Sequence, residues 1–229
     1  RLRAQDIHKI VTTFNEALEI DRYSRLVPLK EIEVNDFNLN IPRYIDSSDP
    51  EDLQDIDAHL RGGIPNRDID ELSSYWDVFP AIRKALFKTG NRSGYSELKV
   101  PHAELKKTIF DNSEFIAFDD SITQLFTEWS AQNKKKLKAI KVGTLPKALI
   151  DELSEDILAT FRKARLIDAY DVYQHLLNYW EATLQDDAYQ ISQIGWQTTI
   201  DGGPNTDLLP WEVVIRKYFK AEAEAIETA

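Results

Sequence analysis

Four histidines are the only imidazoles available for acid–base or metal chemistry: His8, His59, His102 and His175. They lie far apart in the chain, and none stands in the His-Glu-x-x-His pattern that puts two ligands on one helical face. With zero Cys, a thiolate metal site, a cysteine nucleophile and a disulfide framework are all excluded. The adjacent carboxylates Asp119-Asp120 and Asp186-Asp187 are candidates for an acid and a base. Neighbouring helical residues point about 100° apart, however, and an acidic chain supplies such pairs as solvated surface. No nucleophile-elbow pattern supports a Ser-His-Asp arrangement. Gly62-Gly63 precedes Ile64-Pro65 and follows no strand pattern, which reads as a turn and not as a phosphate- or cofactor-cradling loop.

Electrostatics leaves more to work with. Lys134, Lys135, Lys136, Lys138 and Lys141 make the densest basic run, and Lys88, Arg92 and Lys99 make a looser one. One reading is contact with nucleic-acid phosphates, for which lysine supplies sequence-independent charge. The other is a solvated helix end, where cations complement the negative pole of the helix dipole. The formal net charge of −11 repels nucleic acid and anionic membrane overall, so any DNA contact has to come from a local patch or a basic partner.

The elements that would position these groups are mostly helical. Ile7, Ile10, Val11, Phe14 and Leu18 recur at helical spacing over Asp6–Glu19. Pro28 precedes one expected helical turn within Ser24–Val34. The stretch Asn35–Asp46 is the exception: Phe37, Leu39 and Ile41 alternate with Asn38 and Asn40, which predicts a strand over 37–44, at a sheet edge because of Pro42. No later run reads as a comparable strand, so its neighbours are expected before Arg1, with the chain as the rear portion of something longer. Residues 47–66 read as a linker bearing a short acidic helix around Leu53, Ile56 and Leu60. From Arg67 the pattern is helical, with a break at Pro80, a basic loop over Lys88–Tyr95, a short helix over Ala103–Phe110 behind Pro101, and a long helix from Ser113 to the lysine run. After Gly143 and Pro146 comes a helix with Leu149, Ile150, Leu153, Ile157, Leu158 and Phe161 on one face. A further helical region spans Ala169–Ile194, with Val172, Leu176, Leu177, Trp180 and Leu184 inward, then a turn at Asp201–Asn205 and a last helix from Trp211. Trp76, Phe115, Phe126, Trp129, Trp180 and Trp211 lie at core spacing, whereas Tyr95 and Trp196 are expected at the surface.

The run Ile7-His8-Lys9-Ile10, then Arg22-Tyr23-Ser24-Arg25, then Asn35-Asp36-Phe37-Asn38-Leu39-Asn40-Ile41-Pro42-Arg43-Tyr44-Ile45-Asp46 resembles the close of the catalytic domain in modification (M) subunits of type I restriction–modification systems. The similarity continues through Asp55–Pro65, Tyr75–Pro80, Leu153–Asp156, Asp171–Gln174 and Tyr179-Trp180, and so covers nearly the whole chain. It implies a mainly α fold: a helical C-terminal domain over 67–229, preceded over 1–46 by the last helix–strand edge of an α/β methyltransferase domain.

The resemblance also implies a function, site-specific DNA adenine-N6 methylation that depends on AdoMet in the parent protein. The family's Gly-rich cofactor turn and its Asn-Pro-Pro-Phe/Tyr element are absent from this sequence. No catalytic, cofactor-binding or metal residue is therefore carried over, and this segment alone is expected to be non-catalytic. The implied partners are the specificity (S) subunit, a second M subunit, the restriction subunit and DNA, in the cytoplasm and with no membrane. DNA-contact candidates are Lys134, Lys135, Lys136, Lys138, Lys141 and Arg92. Partner-docking candidates on the last helix are Trp211, Val214, Tyr218 and Ala221. The alternative is a free-standing helical protein–protein interaction domain. An acidic DNA mimic is a third possibility, opposed by lysines scattered among the acids.

Overall fold

The computed structural model describes residues 2–47 and 54–219. The chain is mainly helical and divides into two compact units, one running to Gln124 and including Ala164–Tyr170, the other comprising Leu125–Lys163 and the chain from Asp171. The division cuts through two helices, between Gln124 and Leu125 and between Tyr170 and Asp171, so each unit is taken by itself.

The first unit opens with α1 (Ala4–Asn15), where the Asp6 carboxylate accepts from the Arg3 backbone N–H at 2.9 Å. Those hydrogen bonds from the Arg3 side chain and backbone hold the Asp6 carboxyl below its usual range. Pro28 caps α2 (Leu29–Val34). The strand expected over 37–44 does not form. Asp36 and Phe37 both have φ of 54°, a turn conformation that an extended strand cannot contain. The Asn38 side chain then accepts from the Asn40 N–H at 3.0 Å, and Ile41–Arg43 close a single 3-10 turn. With no hydrogen-bonded neighbour, the alternating pattern has no ladder to join, and Phe37, Leu39 and Ile41 are exposed.

Further on, α3 (Ile56–Arg61) is capped by Asp55, which accepts from the Ala58 N–H at 2.9 Å. This is the short acidic helix foreseen in the linker; Leu53 lies outside the described residues. A three-stranded antiparallel sheet that the sequence reading missed follows, built from β1 (Ile64–Pro65), β2 (Phe87–Thr89) and β3 (Tyr95–Leu98) in the order β1-β3-β2. Phe87 pairs with Leu98 and Thr89 with Ser96. The hairpin explains why Gly90 stands where it does: a Cβ there would meet the Tyr95 carbonyl oxygen at 2.8 Å. Between β1 and β2 lie α4 (Asn66–Glu71), α5 (Ser73–Trp76) and α6 (Pro80–Leu86), with Pro80 at the start of α6 and not within a helix.

The Glu114 carboxylate caps α6 from a distance. It accepts from the N–H groups of Ala81 at 2.7 Å and Ile82 at 3.3 Å, donors that no helical carbonyl reaches. Phe79, Ile82 and Leu86 form this unit's core, with Phe115 and Phe118 from α8 (Ser113–Lys138) and Leu105 and Ile109 from α7 (Leu105–Phe110) packed around them.

In the second unit the apolar stripe of α9 is fully used. Leu149, Ile150, Leu153, Ile157, Leu158 and Phe161 of α9 (Pro146–Phe161) are all buried, as their spacing predicts. They adjoin α10 (Ala169–Tyr179) and α11 (Gln185–Ile194), joined by a π-helical turn over Trp180–Leu184. Trp180, Ala188 and Ile191 complete the core with Ile140. The expected turn at 201–205 is the tip of a small hairpin, β4 (Thr199–Ile200) with β5 (Gly203–Pro204). The last element is α12 (Trp211–Tyr218).

Candidate functional site

Residues 2–47 present the most unusual surface in the chain. Gln5 alone among them is buried. The apolar side chains of α1 that share a helical face, Ile7, Ile10, Val11 and Phe14, are exposed, Phe14 by 85%. A concavity of about 370 Å³ gathers Ile10, Phe14, Leu18, Tyr23 and Leu26. Polar contacts hold the segment in shape. The Arg25 guanidinium pairs with Glu31 at 2.7 Å, the Ser24 hydroxyl donates to the Leu18 carbonyl at 2.7 Å, and Ile20 and Ser24 form an isolated antiparallel bridge. Apolar side chains exposed together in this way make the segment a candidate contact surface.

Residues 1–53 match the family model of N-6 DNA methylases. The match supports an adenine-N6 methyltransferase family for this part of the chain, and it falls on the segment with the least buried apolar surface. Comparison with curated proteins returns no match, and comparison with solved structures returns none.

The remaining candidate residues are distributed as follows. On α8, Lys134, Lys135 and Lys138 are exposed, and Lys141 is exposed just beyond the helix end. Lys136 is only half exposed, because its ammonium pairs with Glu152 at 2.7 Å. Arg92 is held within its own unit: its guanidinium stacks on the Tyr95 ring at 3.9 Å, lies 3.6 Å from Asp57 and donates to the Gly62 carbonyl. Lys88 likewise pairs with Glu97 at 3.2 Å, and Lys99 reaches the Lys84 carbonyl at 2.5 Å.

Tyr95, expected at the surface, is half-buried. Its hydroxyl donates to the Asp55 carboxylate, with oxygens at 3.0 and 3.1 Å, so the phenol is pushed above its usual range by that hydrogen bond. Trp196 is exposed as expected, although its indole N–H donates to the Ile140 carbonyl at 2.8 Å. Phe126, placed in the core from its spacing, is exposed instead.

On α12, Val214 is half-buried and Val213 and Ile215 are exposed. Ala221 lies outside the described residues, as do the side chains of Trp211 and Tyr218. Gly62 is the C-cap of α3 with φ of 73°, and a Cβ on Gly63 would meet Tyr95 at 3.3 Å. This is helix-ending turn geometry.

The histidines stay apart. His8 meets Thr12, His59 lies on α3, His102 is exposed, and His175 lines a cavity in the second unit. Among the described residues no group of three His, Asp or Glu could hold a metal ion, and no helix is long and apolar enough to cross a membrane. The Asp186-Asp187 pair does show perturbed electrostatics. Partial burial raises the Asp187 carboxyl, and the charges of Asp186 and Asp207 raise it further. Two like charges beside a third make a repulsive surface cluster.

Proposed function

We propose that this chain is the C-terminal segment of the modification subunit of a type I restriction–modification system, whose parent enzyme methylates adenine N6 in DNA with AdoMet. In this reading residues 1–46 are the closing edge of the methyltransferase domain, 47–66 the linker, and 67–229 a helical domain that holds the specificity subunit and flanks DNA. Catalysis and AdoMet binding belong to the sequence before Arg1. One coincidence carries the reading: the stretch that matches the N-6 DNA methylase model is the same stretch whose apolar side chains are left facing solvent.

Within that assembly, phosphate contact falls to Lys134, Lys135, Lys138 and Lys141, since Lys136 and Arg92 are engaged by Glu152, Asp57 and Tyr95. At a net charge of −11 these lysines contribute only when a partner brings DNA to them. On α12 the exposed Val213 and the half-buried Val214 offer a specificity subunit or a second modification subunit apolar side chains to pack against. A complex assembled in this way belongs in the cytoplasm with the restriction subunit and the DNA.

The test is reconstitution. The polypeptide encoded upstream of Arg1 is co-expressed with this chain and the specificity subunit, and adenine-N6 methylation of DNA is measured. Activity is expected from the assembly and not from the chain alone. Phe14→Asp should abolish assembly while the chain's own unfolding midpoint stays unchanged. Changing Lys135, Lys138 and Lys141 to Gln should flatten the salt dependence of DNA binding by about 0.9 in log–log slope per lost contact. Methylation by the chain alone, or a stable monodisperse chain that ignores the upstream polypeptide, would favour a free-standing interaction domain.

A further inference from the structure

The second unit contains a cavity of about 470 Å³ between α8, α9, α10 and the π-helical turn, well within the size range of small-molecule sites. It plays no part in the reading of residues 1–53. Three features distinguish it from a packing defect. Its walls are aromatic and aliphatic, with Trp129, Trp180, Tyr179 and Phe126 among them. Two of its lining residues carry buried polar atoms without partners: the indole N–H of Trp129 and the side-chain oxygen of Asn133. Asn133 is 2% exposed, and its amide N–H groups are taken by the Trp129 carbonyl at 3.0 Å and Asp156 at 2.6 Å, so the oxygen is left over. The third feature is the lining's charge. The chain has 39 Asp and Glu, yet none lines this cavity, whereas Lys134 and His175 do.

A buried donor and a buried acceptor left unmade cost about 1–3 kcal/mol each. Both atoms lie within the cavity wall, one helical turn apart on α8, and are closed to the cavity's contents. The π-helical turn that supplies Trp180 and Leu184 to the wall is itself a costly local geometry, and such turns recur at ligand sites. We propose that this cavity binds a small flat heteroaromatic compound carrying one anionic group. The ring lies among Trp129, Trp180 and Tyr179, and the anion meets the ammonium of Lys134.

Isothermal titration of the full chain tests this with three probes: adenosine 5′-monophosphate and indole-3-carboxylate, which carry the anion, and neutral indole, which does not. The expected result is saturable one-to-one binding of at least one anionic probe, with indole weaker by about tenfold. Lys134→Ala, at an exposed position, should weaken the anionic probe by a similar factor and leave the unfolding midpoint unchanged. Absence of saturable binding by either anionic probe would overturn the proposal and leave a water-filled cavity. Indole binding as tightly as the anions, or affinity indifferent to Lys134→Ala, would equally overturn it.

Discussion

Helix α1 and helix α9 carry the same kind of message in sequence, apolar residues every three or four positions, and the fold treats them in opposite ways. On α9 every member of the stripe is buried, down to Leu158 at 1% exposure. On α1 the stripe faces solvent. Burying a side chain of this size contributes about 1.5–3 kcal/mol, so α9 is held by its own face, while the contacts of α1 include the weak Arg3–Asp6 pair at its start and Lys9 over the Tyr23 and Tyr170 rings. Periodicity states which face wants to be covered. It does not state whether the cover is in the same chain.

The largest expected effect breaks the comparison open at both ends. Leu158→Ala should cost about 3 kcal/mol of unfolding free energy in denaturant titration, since it leaves a cavity in a packed core. Phe14→Ala on α1 should change it by less than about 0.5 kcal/mol, in keeping with a side chain that is already solvated. Equal losses at the two positions would mean that α1 is packed in solution, and the surface argument for residues 2–47 would fall with it.

A smaller effect is expected where a helix is held by a single polar group. Glu114→Ala removes the acceptor for the Ala81 and Ile82 N–H groups at the start of α6 and should cost about 1–2 kcal/mol. Glu114→Gln, which keeps an oxygen but loses the charge, should recover part of that loss. Unfolding midpoints of the two variants side by side check the order. The contrast with α1 becomes sharper, because there Arg3 is exposed and Asp6 only partly covered, and loss of that pair should cost less than about 1 kcal/mol.

Much of the second unit was legible in sequence for one reason: long amphipathic helices bury what their spacing says, as Leu149 through Phe161 show. The π-helical turn at Trp180–Leu184 was not, because its insertion leaves the apolar spacing of the surrounding helices almost intact. The three-stranded sheet was missed because β2 and β3 span three and four residues, too few for an alternation to register; Gly90, fixed by the Tyr95 carbonyl, was the available signal. The strand over 37–44 failed for the opposite reason. Its alternation is real, but a strand is a property of a pair, and Asp36 and Phe37 turn the chain before any ladder begins. In the candidate sites, net charge and spacing located the lysine run. They could not show that Glu152 takes Lys136 or that Asp57 takes Arg92, since such pairings join elements distant in sequence.

The smallest effect concerns charge in the second unit, where the apolar contacts are satisfied and the remaining cost is polar. Asp187 has its carboxyl raised by partial burial, then by Asp186 and Asp207. A raised carboxyl binds its proton more readily in the folded state than in the unfolded one, so folding is penalised while the group is ionised at neutral pH. Stability should therefore rise as pH falls through the raised folded-state value, and the gain should be complete below the unfolded carboxyl's range. Asp187→Asn should be more stable than the original at pH 7, by less than about 1 kcal/mol given solvent screening, and the two should converge as the pH is lowered. Midpoints of thermal unfolding across that range measure it. A variant that is less stable at pH 7 would show that the Asp187 carboxylate is held by an attractive partner, and would make this edge of α11 a cation-binding surface instead of a repulsive one.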